Sequence, residues 1–247
     1  MGGSGNGAVA LVTGGSRGIG AATALRLAQD GADVALTYVS GERHAAEVVA
    51  GIEALGRRAL AVRADVGDPA QAVGAVEETV RGLGRITALV NNAGIGVLGP
   101  LDALALADVD RVLAVNVRGA FLTTQAAAAR MGSGGRIVTI GSCMAARVPG
   151  PGGTLYAMSK AALTGLNKAL ARELGERGIT ANLVHPGPVD TDMNPADGPY
   201  AAAQSALTAL GRFGTAQEVA ALVSFLAGPD AAYVTGAEFA VDGGHAA

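Results

Sequence analysis

A chain of 247 residues is long enough to bury the core of one large α/β domain or of two small ones. Only 3% of the residues are aromatic and the net charge of -3 comes without a basic tract, which argues against a nucleic-acid partner. The single cysteine excludes an internal disulfide, no Cys/His cluster has metal-site spacing, and no apolar run is long enough to cross a membrane. Residues 1–7 predict a flexible Gly-rich tail rather than a signal peptide, so we expect a cytoplasmic protein.

The first predicted elements are a strand, a glycine-rich turn and a helix. An apolar run over 8–12 precedes the sequence TGGSRGIG at 13–20, and a helical pattern follows over 21–30. Glycines in such a turn let backbone N–H groups approach a phosphate at the N-terminus of the helix. No Lys-Ser/Thr pair follows Gly20, which excludes a P-loop. The spacing also differs from G-x-G-x-x-G, so a tight turn without a ligand stays open, although strand and helix together favour a dinucleotide site.

The end of the second predicted strand, over 33–40, bears on the choice of cofactor. NAD sites place an acidic side chain near this point to hold the ribose 2′-OH. Here Tyr38 and Ser40 occupy that region, and no carboxylate occurs before Glu42. Arg17 lies inside the glycine-rich turn, and a solvated turn residue is its simpler interpretation. The missing acid together with this arginine favours the 2′-phosphate of NADP.

Helices and strands alternate along the rest of the chain. Further strands are predicted over 58–63, 86–90, 136–140, 180–184 and 237–241, and helices over 42–55, 68–81, 102–129, 154–177, 201–210 and 216–226. Asp68 and Asp108 are candidate N-caps for two of these helices. The alternation predicts an α/β fold: a single Rossmann domain over 8–247 with a doubly wound, seven-stranded parallel sheet covered by helices on both faces.

Ligands of such sheets bind at the carboxyl ends of the strands. Small and polar residues follow the predicted strands at this edge, namely Asp65, Asn92, Ser142 and Pro186. We therefore expect residues that are distant in sequence to form one site.

Tyr156 and Lys160 are four residues apart in a predicted helix and so share one face. A Lys ammonium beside a phenol favours the phenolate, so we predict a Tyr156 pKa below the ordinary value of about 10. A phenol tuned in this way can exchange a proton with a carbonyl group. The Y-x-x-x-K pattern is common by chance, and Ser142 alone reads equally as a turn residue, so the hypothesis depends on a neighbouring cofactor site.

The combined motifs are more specific than any one of them. The chain carries, in this order, T-G-x-x-x-G-x-G, D-V, N-N-A-G, an Asn in the long helix, a Ser before Y-x-x-x-K, and P-G followed by a Thr. Over roughly 8–244 this order resembles the short-chain dehydrogenase/reductase family. The resemblance implies reversible, NADPH-dependent reduction of a ketone or other carbonyl to a secondary alcohol.

The resemblance also implies roles for four catalytic residues. Tyr156 would donate the proton, Ser142 would hydrogen-bond the substrate oxygen, and Lys160 would bond the nicotinamide ribose and lower the Tyr156 pKa. Asn116 would hold a water bonded to Lys160, although its side chain could instead bond its own helix.

Cofactor contacts are implied at many matching positions. Asp65 would meet the adenine amine, and Val189 and Thr191 the nicotinamide amide. The full set is Gly14, Ser16, Arg17, Gly18, Ile19, Gly20, Tyr38, Ser40, Asp65, Val66, Asn92, Ala93, Gly94, Tyr156, Lys160, Pro186, Gly187, Val189 and Thr191.

The substrate pocket is less defined by the resemblance. Cys143, Met144 and Met193 are candidate pocket residues, and 188–213 is the expected substrate lid, whose Ala-rich helix favours an apolar, non-anionic substrate. The interval from Ser142 to Tyr156 is one residue longer than in most of the family. This longer form is similar to a subgroup of reductases that resemble 3-oxoacyl-[acyl-carrier-protein] reductase.

Several interpretations stay open at this point. Cys143 reads as a redox-sensitive thiol or as an inert, buried residue, and His185 as a catalytic or a structural histidine. The family resemblance suggests a homotetramer, with a dimer as the alternative. The alternative function is a nucleotide-binding regulator that uses the same fold with little turnover.

Overall fold

The computed structural model describes residues 7–247, so most of the predicted tail, residues 1–6, lies outside the described residues. Seven parallel strands form one sheet, as predicted, and their order is β3-β2-β1-β4-β5-β6-β7. In chain order, β1 to β7 are Val9–Val12, Asp33–Tyr38, Ala59–Arg63, Ala88–Asn91, Arg136–Ile140, Thr180–Pro186 and Glu238–Val241. The strand order reverses between β1 and β4, which is where a doubly wound sheet opens a crevice for a ligand.

Helices connect the strands. In chain order, α1 to α8 are Gly18–Gln29, Glu42–Ala54, Pro69–Leu83, Leu106–Leu113, Ala120–Arg130, Thr154–Leu174, Ala201–Ala206 and Ala216–Ala227. Asp68 caps α3, as predicted, by accepting a hydrogen bond from the Gln71 N–H at 3.0 Å. Within residues 7–247, no helix has both the length and the apolar character needed to span a bilayer.

Two hydrophobic layers cover the sheet, one on each face. Successive strand residues point to opposite layers: Val12 and Leu36 face the layer of α1, α2 and α8, whereas Leu11 and Leu89 face that of α3, α5 and α6. Each fully buried leucine contributes about 1.5–3 kcal/mol to folding. Small helix residues such as Ala24 let the helices approach the strands closely, which explains how the chain fills its core with few aromatic side chains.

The region predicted as one long helix over 102–129 is divided in the structure. α4 begins at Leu106 after Ala105, so the prediction that Asp108 is the N-cap is wrong. A wider π-helical turn over Ala114–Gly119 separates α4 from α5. At its end, a Cβ on Gly119 would lie only 2.7 Å from the Val66 carbonyl, so the absence of a side chain lets this turn pack against the end of β3.

Asp33 joins β2 to the start of β3. Its carboxylate, 9% exposed, pairs with Arg57 and Arg58 at 2.8 Å each and accepts the Arg58 backbone N–H at 3.0 Å. Burial raises the pKa of this carboxyl, but the hydrogen bonds from Arg58 and the charge of Arg57 outweigh it and lower the pKa below 3.8. The ionised form is therefore favoured in the folded state.

We predict that Asp33→Asn lowers the free energy of unfolding at pH 7 by about 1–3 kcal/mol, because the arginines lose their ionic acceptor. The stabilisation is present above the unfolded-state pKa and is lost as the pH falls through the lowered folded-state pKa. Denaturant unfolding of wild type and variant should therefore converge in acid. Asp102→Asn, at an exposed position, is the control. A pH-independent difference would contradict this account.

Candidate active site

The glycine-rich turn between β1 and α1 is shaped by the absence of side chains. Gly14 and Gly18 have φ of +62° and +53°, in the left-handed region that favours glycine. A Cβ on Gly20 would lie 2.3 Å from the Gly14 carbonyl, so only hydrogen fits there. The first N–H groups of α1 have no partner within the helix and can therefore bind an anion. Ser16 and Ile19, also predicted contacts, are buried and half-buried beside this turn.

The end of β4 holds this turn in place. The Asn92 amide donates hydrogen bonds to the Thr13 and Gly14 carbonyls, both at 2.9 Å. The backbone N–H groups of Asn92 and Ala93 both donate to the Thr13 hydroxyl at 3.0 Å. Asn92 and Ala93 are predicted cofactor contacts. In the structure, their hydrogen bonds hold the glycine-rich turn against the end of β4.

Arg17 projects from the turn toward the end of β2. Its guanidinium lies 3.5 Å from the Ser40 carbonyl and 4.0 Å from the Asp192 carboxylate, and it is half-exposed. Tyr38 is the last residue of β2 and is half-buried. Arg17 therefore lies beside the end of β2, and the contact of Arg17, Tyr38 and Ser40 with a 2′-phosphate stays a prediction.

Asp65 and Val66 follow β3. The Asp65 carboxylate accepts the Gly67 N–H at 2.9 Å and pairs with Arg111 of α4 at 2.9 Å. Val66 is buried against Val115. Arg111 could not be predicted from the sequence, because it is remote from Asp65 along the chain and meets it only through the tertiary packing of α4.

Ser142, Tyr156 and Lys160 come together where β5 ends and α6 begins. The Lys160 amine is buried, donates a hydrogen bond to the Ile140 carbonyl at 2.9 Å, and lies 5.8 Å from the Tyr156 ring centre. Gly94 packs against this amine, because a Cβ there would be 3.2 Å from Nζ. Predicted residues from the N-N-A-G, Ser and Y-x-x-x-K motifs therefore lie together around the Lys160 amine.

The predicted decrease in the Tyr156 pKa is wrong. Desolvation raises the pKa of the partly buried phenol above 10.0, and the Ser142 side chain opposes this only in part. Burial also lowers the Lys160 pKa to about 8. The loss of hydration of the two groups has a larger effect on both pKa values than the attraction between them, from which the decrease was predicted.

Asn116 lies within the π-helical turn, and its side chain forms hydrogen bonds with two separate segments of the chain. Its amide exchanges hydrogen bonds with the Ile95 N–H and carbonyl, both at 2.9 Å. It also donates to the Ser159 hydroxyl at 2.9 Å, which in turn donates to the Tyr156 carbonyl at 2.8 Å. Asn116 therefore links the loop after β4 to the helix that carries Tyr156. Its role in holding a water at Lys160 stays a prediction.

The segment after β6 returns over the glycine-rich turn. Val189 is buried, and the Thr191 methyl carbon lies 3.2 Å from the position of a Cβ on Gly18. Pro186 closes β6, and Gly187 donates to the Val241 carbonyl at 3.0 Å. The predicted contacts of this segment thus lie at the same sheet edge as the turn.

The three candidate pocket residues differ in their surroundings. The Cys143 thiol is buried beside Ser142, and burial raises its pKa to about 11, which disfavours the reactive thiolate. Met144 is half-buried against Gly153, whereas Met193 is 67% exposed. Among residues 7–247 there is no group of three or more side chains suited to hold a metal ion.

The buried Lys160 leads to a direct spectroscopic prediction. The chain contains only two lysines, Lys160 and Lys168, so a protein labelled with 13C at lysine Cε gives two resonances. We expect the Lys160 resonance to titrate with a pKa of about 8, because burial disfavours the ammonium. The Lys168→Arg substitution removes the Lys168 resonance and so identifies the one that belongs to Lys160. A Lys160 pKa at the ordinary value of 10.5 would show that the amine is hydrated.

Comparison with known proteins identifies the family. A family model described as enoyl-(acyl carrier protein) reductase matches residues 14–246. The cyclic-di-GMP-binding biofilm dispersal mediator protein of Escherichia coli K12 is 45% identical over 237 residues, covering 96% of each chain.

Two solved structures are still more similar. A blue fluorescent protein from a metagenomic library, in complex with NADPH, has 56% identity and a TM-score of 0.96, covering 98% of this chain and 99% of that one. A short chain dehydrogenase from Burkholderia cenocepacia J2315, in complex with NADP, has 56% identity and a TM-score of 0.97, covering 98% of each chain. Together with the parallel sheet and its glycine-rich turn, these similarities show that the chain belongs to the short-chain dehydrogenase/reductase family of oxidoreductases.

Proposed function

We propose that the protein is an NADPH-dependent reductase that converts a ketone or other carbonyl to a secondary alcohol, reversibly. The observation that carries this proposal is the convergence of Ser142, Tyr156 and Lys160 beside the glycine-rich turn. Two hydroxyl groups and a buried amine at one sheet edge are suited to a carbonyl oxygen that gains charge and then a proton.

The residues present fit the dinucleotide. The left-handed glycines and the free N–H groups at the start of α1 suit the pyrophosphate, since a side chain at Gly20 would fill the turn. Arg17 offers its guanidinium to the 2′-phosphate, and the two similar structures contain NADPH or NADP. We therefore assign NADP(H) in preference to NAD(H). When bound, this cofactor supplies the hydride, and the protein supplies orientation and the proton.

The proton donor is Tyr156 in this mechanism. Its raised pKa keeps the phenol protonated at neutral pH, which suits reduction. Ser142 and Tyr156 donate hydrogen bonds to the substrate oxygen, as an oxyanion site does. Because Lys160 has a pKa of about 8, it carries its charge below that pH, and this charge stabilises the phenolate left after proton transfer.

The substrate is proposed to be a small, apolar, non-anionic carbonyl compound. The segment 188–213 carries the Ala-rich α7 and the exposed Met193, and we assign it as the lid over the substrate. Cys143 and Met144 follow Ser142 directly and are proposed to line the same pocket. The expected homotetramer, or dimer, and the cytoplasmic location stay predictions.

A regulatory role is the second candidate. It is favoured by the 45% identity to the E. coli protein, which is named for binding cyclic-di-GMP and mediating biofilm dispersal. The two roles differ in turnover: an enzyme consumes NADPH with a ketone, whereas a regulator binds its nucleotide with little consumption. A calorimetric titration with cyclic-di-GMP, with and without NADPH, measures the Kd of this nucleotide and so tests the regulatory role independently of turnover.

Tyr156→Phe tests the enzymatic proposal. We expect NADPH consumption with a panel of ketones to fall by about a hundredfold to ten-thousandfold in kcat, because the proton donor is lost. The NADPH Kd should stay within about twofold, since the ring that packs at the site remains. Tyr233→Phe, at a fully exposed tyrosine, is the matched control. Tight NADPH binding without turnover of any ketone by the wild type would refute the proposal.

Arg17→Ala tests the choice of cofactor. Loss of a charged hydrogen bond costs about 1.5–3 kcal/mol, which corresponds to a decrease in kcat/KM with NADPH of about tenfold to a hundredfold. The value with NADH should change little, since NADH lacks the 2′-phosphate. Arg26→Ala is the control, because Arg26 lies at the other end of α1 and pairs with Asp30 at 3.0 Å. A wild-type kcat/KM with NADH that equals or exceeds the value with NADPH would contradict the assignment.

A further inference from the structure

His185 lies directly behind the backbone of Ser142. The side chain, on β6, is almost fully buried, and its Nδ1 is 3.2 Å from the Ser142 backbone N and 2.8 Å from the Ser142 carbonyl oxygen. The ring fits only because position 141 is glycine, since a Cβ on Gly141 would lie 2.6 Å from Nδ1. The imidazole occupies the space that a side chain at position 141 would fill, at the end of β5. It can therefore influence the position of Ser142.

The other ring nitrogen is fixed by a carboxylate. His185 Nε2 lies 3.0 Å from Glu238 Oε2 on the neighbouring strand β7. Glu238 also accepts hydrogen bonds from Thr164 at 2.9 Å and pairs with Lys168 at 3.3 Å, and both of these residues belong to α6. Burial raises the Glu238 pKa, but His185, Thr164 and Lys168 outweigh it and lower the pKa below 4.5, so the carboxylate is ionised at neutral pH.

An ionised Glu238 requires a proton on His185 Nε2, because a carboxylate only accepts hydrogen bonds. Nδ1 lies within hydrogen-bonding distance of both backbone polar groups of Ser142. It accepts from the Ser142 N–H at 3.2 Å when it carries a lone pair, and it donates to the Ser142 carbonyl at 2.8 Å when it carries a proton. In both cases the ring binds the backbone of Ser142.

We propose that His185 is a positioning residue for the reaction, which holds the Ser142 peptide so that the hydroxyl faces the substrate oxygen. The inference rests on the proposed reductase function. Apart from His185 and the Tyr156 side chain, Ser142 is held by its sequence neighbours: its hydroxyl accepts the Met144 N–H at 3.1 Å, and its carbonyl accepts the Ala145 N–H at 3.0 Å. The chain Ser142–His185–Glu238–α6 connects it to the helix that carries Tyr156. Lys160 makes a parallel connection, from α6 to the Ile140 carbonyl.

Two amide substitutions separate the two contacts of the ring. The amide of Asn reaches the place of Nδ1 and can accept from the Ser142 N–H or donate to the Ser142 carbonyl, whereas the amide of Gln reaches the place of Nε2 and keeps only the contact to Glu238. We expect His185→Asn to retain kcat for ketone reduction within about threefold, and His185→Gln to lose about tenfold to a hundredfold through misplacement of Ser142. The NADPH Kd should not change in either variant.

The controls distinguish positioning from stability. Thr79→Ala removes a buried polar side chain from α3, where its hydroxyl donates to the Ala75 carbonyl at 2.7 Å, without touching Ser142 or the His185–Glu238 pair. It should lower Tm but not kcat per folded molecule. Equal kcat for the Asn and Gln variants, or kcat that simply follows Tm across all three, would overturn the positioning role.

A measurement on the wild type keeps the inference testable if a variant does not fold. The 15N shifts of the histidine side chains should show a proton on His185 Nε2, which the contact to Glu238 requires, and an unprotonated Nε2 would overturn the inference. Failure of the two proposals is distinguishable. If the wild type shows no turnover, the reductase function is refuted and the positioning role with it. If the wild type turns over ketones but the Asn and Gln variants have equal kcat, only the positioning role is refuted.

Discussion

The parallel direction of all seven strands is the constraint on which the site depends. Because every strand ends at the same edge, residues that follow β1, β3, β4, β5 and β6 meet there without any contact being specified in the local sequence. The hydrophobic layers on both faces fix the positions of these ends. Inside that frame, a few polar side chains set the details, such as Asn92, which holds the glycine-rich turn against β4.

Loss of hydration dominates the electrostatics of Tyr156 and Lys160. Lys160 and Tyr156 are close enough to interact, yet burial moves both pKa values toward the neutral forms. A phenol that burial keeps protonated agrees with the proposed role of Tyr156 as the proton donor.

The strands and the parallel sheet could be predicted from the sequence because hydrophobic runs and glycine turns are local signals. The prediction of β5 over 136–140 is confirmed to the residue. The π-helical turn around Asn116 and the start of α4 could not be predicted, since they depend on the packing of Gly119 against Val66. The sign of the Tyr156 pKa shift depends on burial, which no spacing reveals.

The fit of His185 against Gly141 also limits how the chain can change. An alanine at 141 would clash with the imidazole, so the effect of that substitution depends on the side chain present at 185. Positions 141 and 185 therefore form an epistatic pair, in which the cost of changing both differs from the sum of the single costs. In evolutionary terms, the order of substitutions matters: a smaller side chain at 185 has to come first before 141 can accept one.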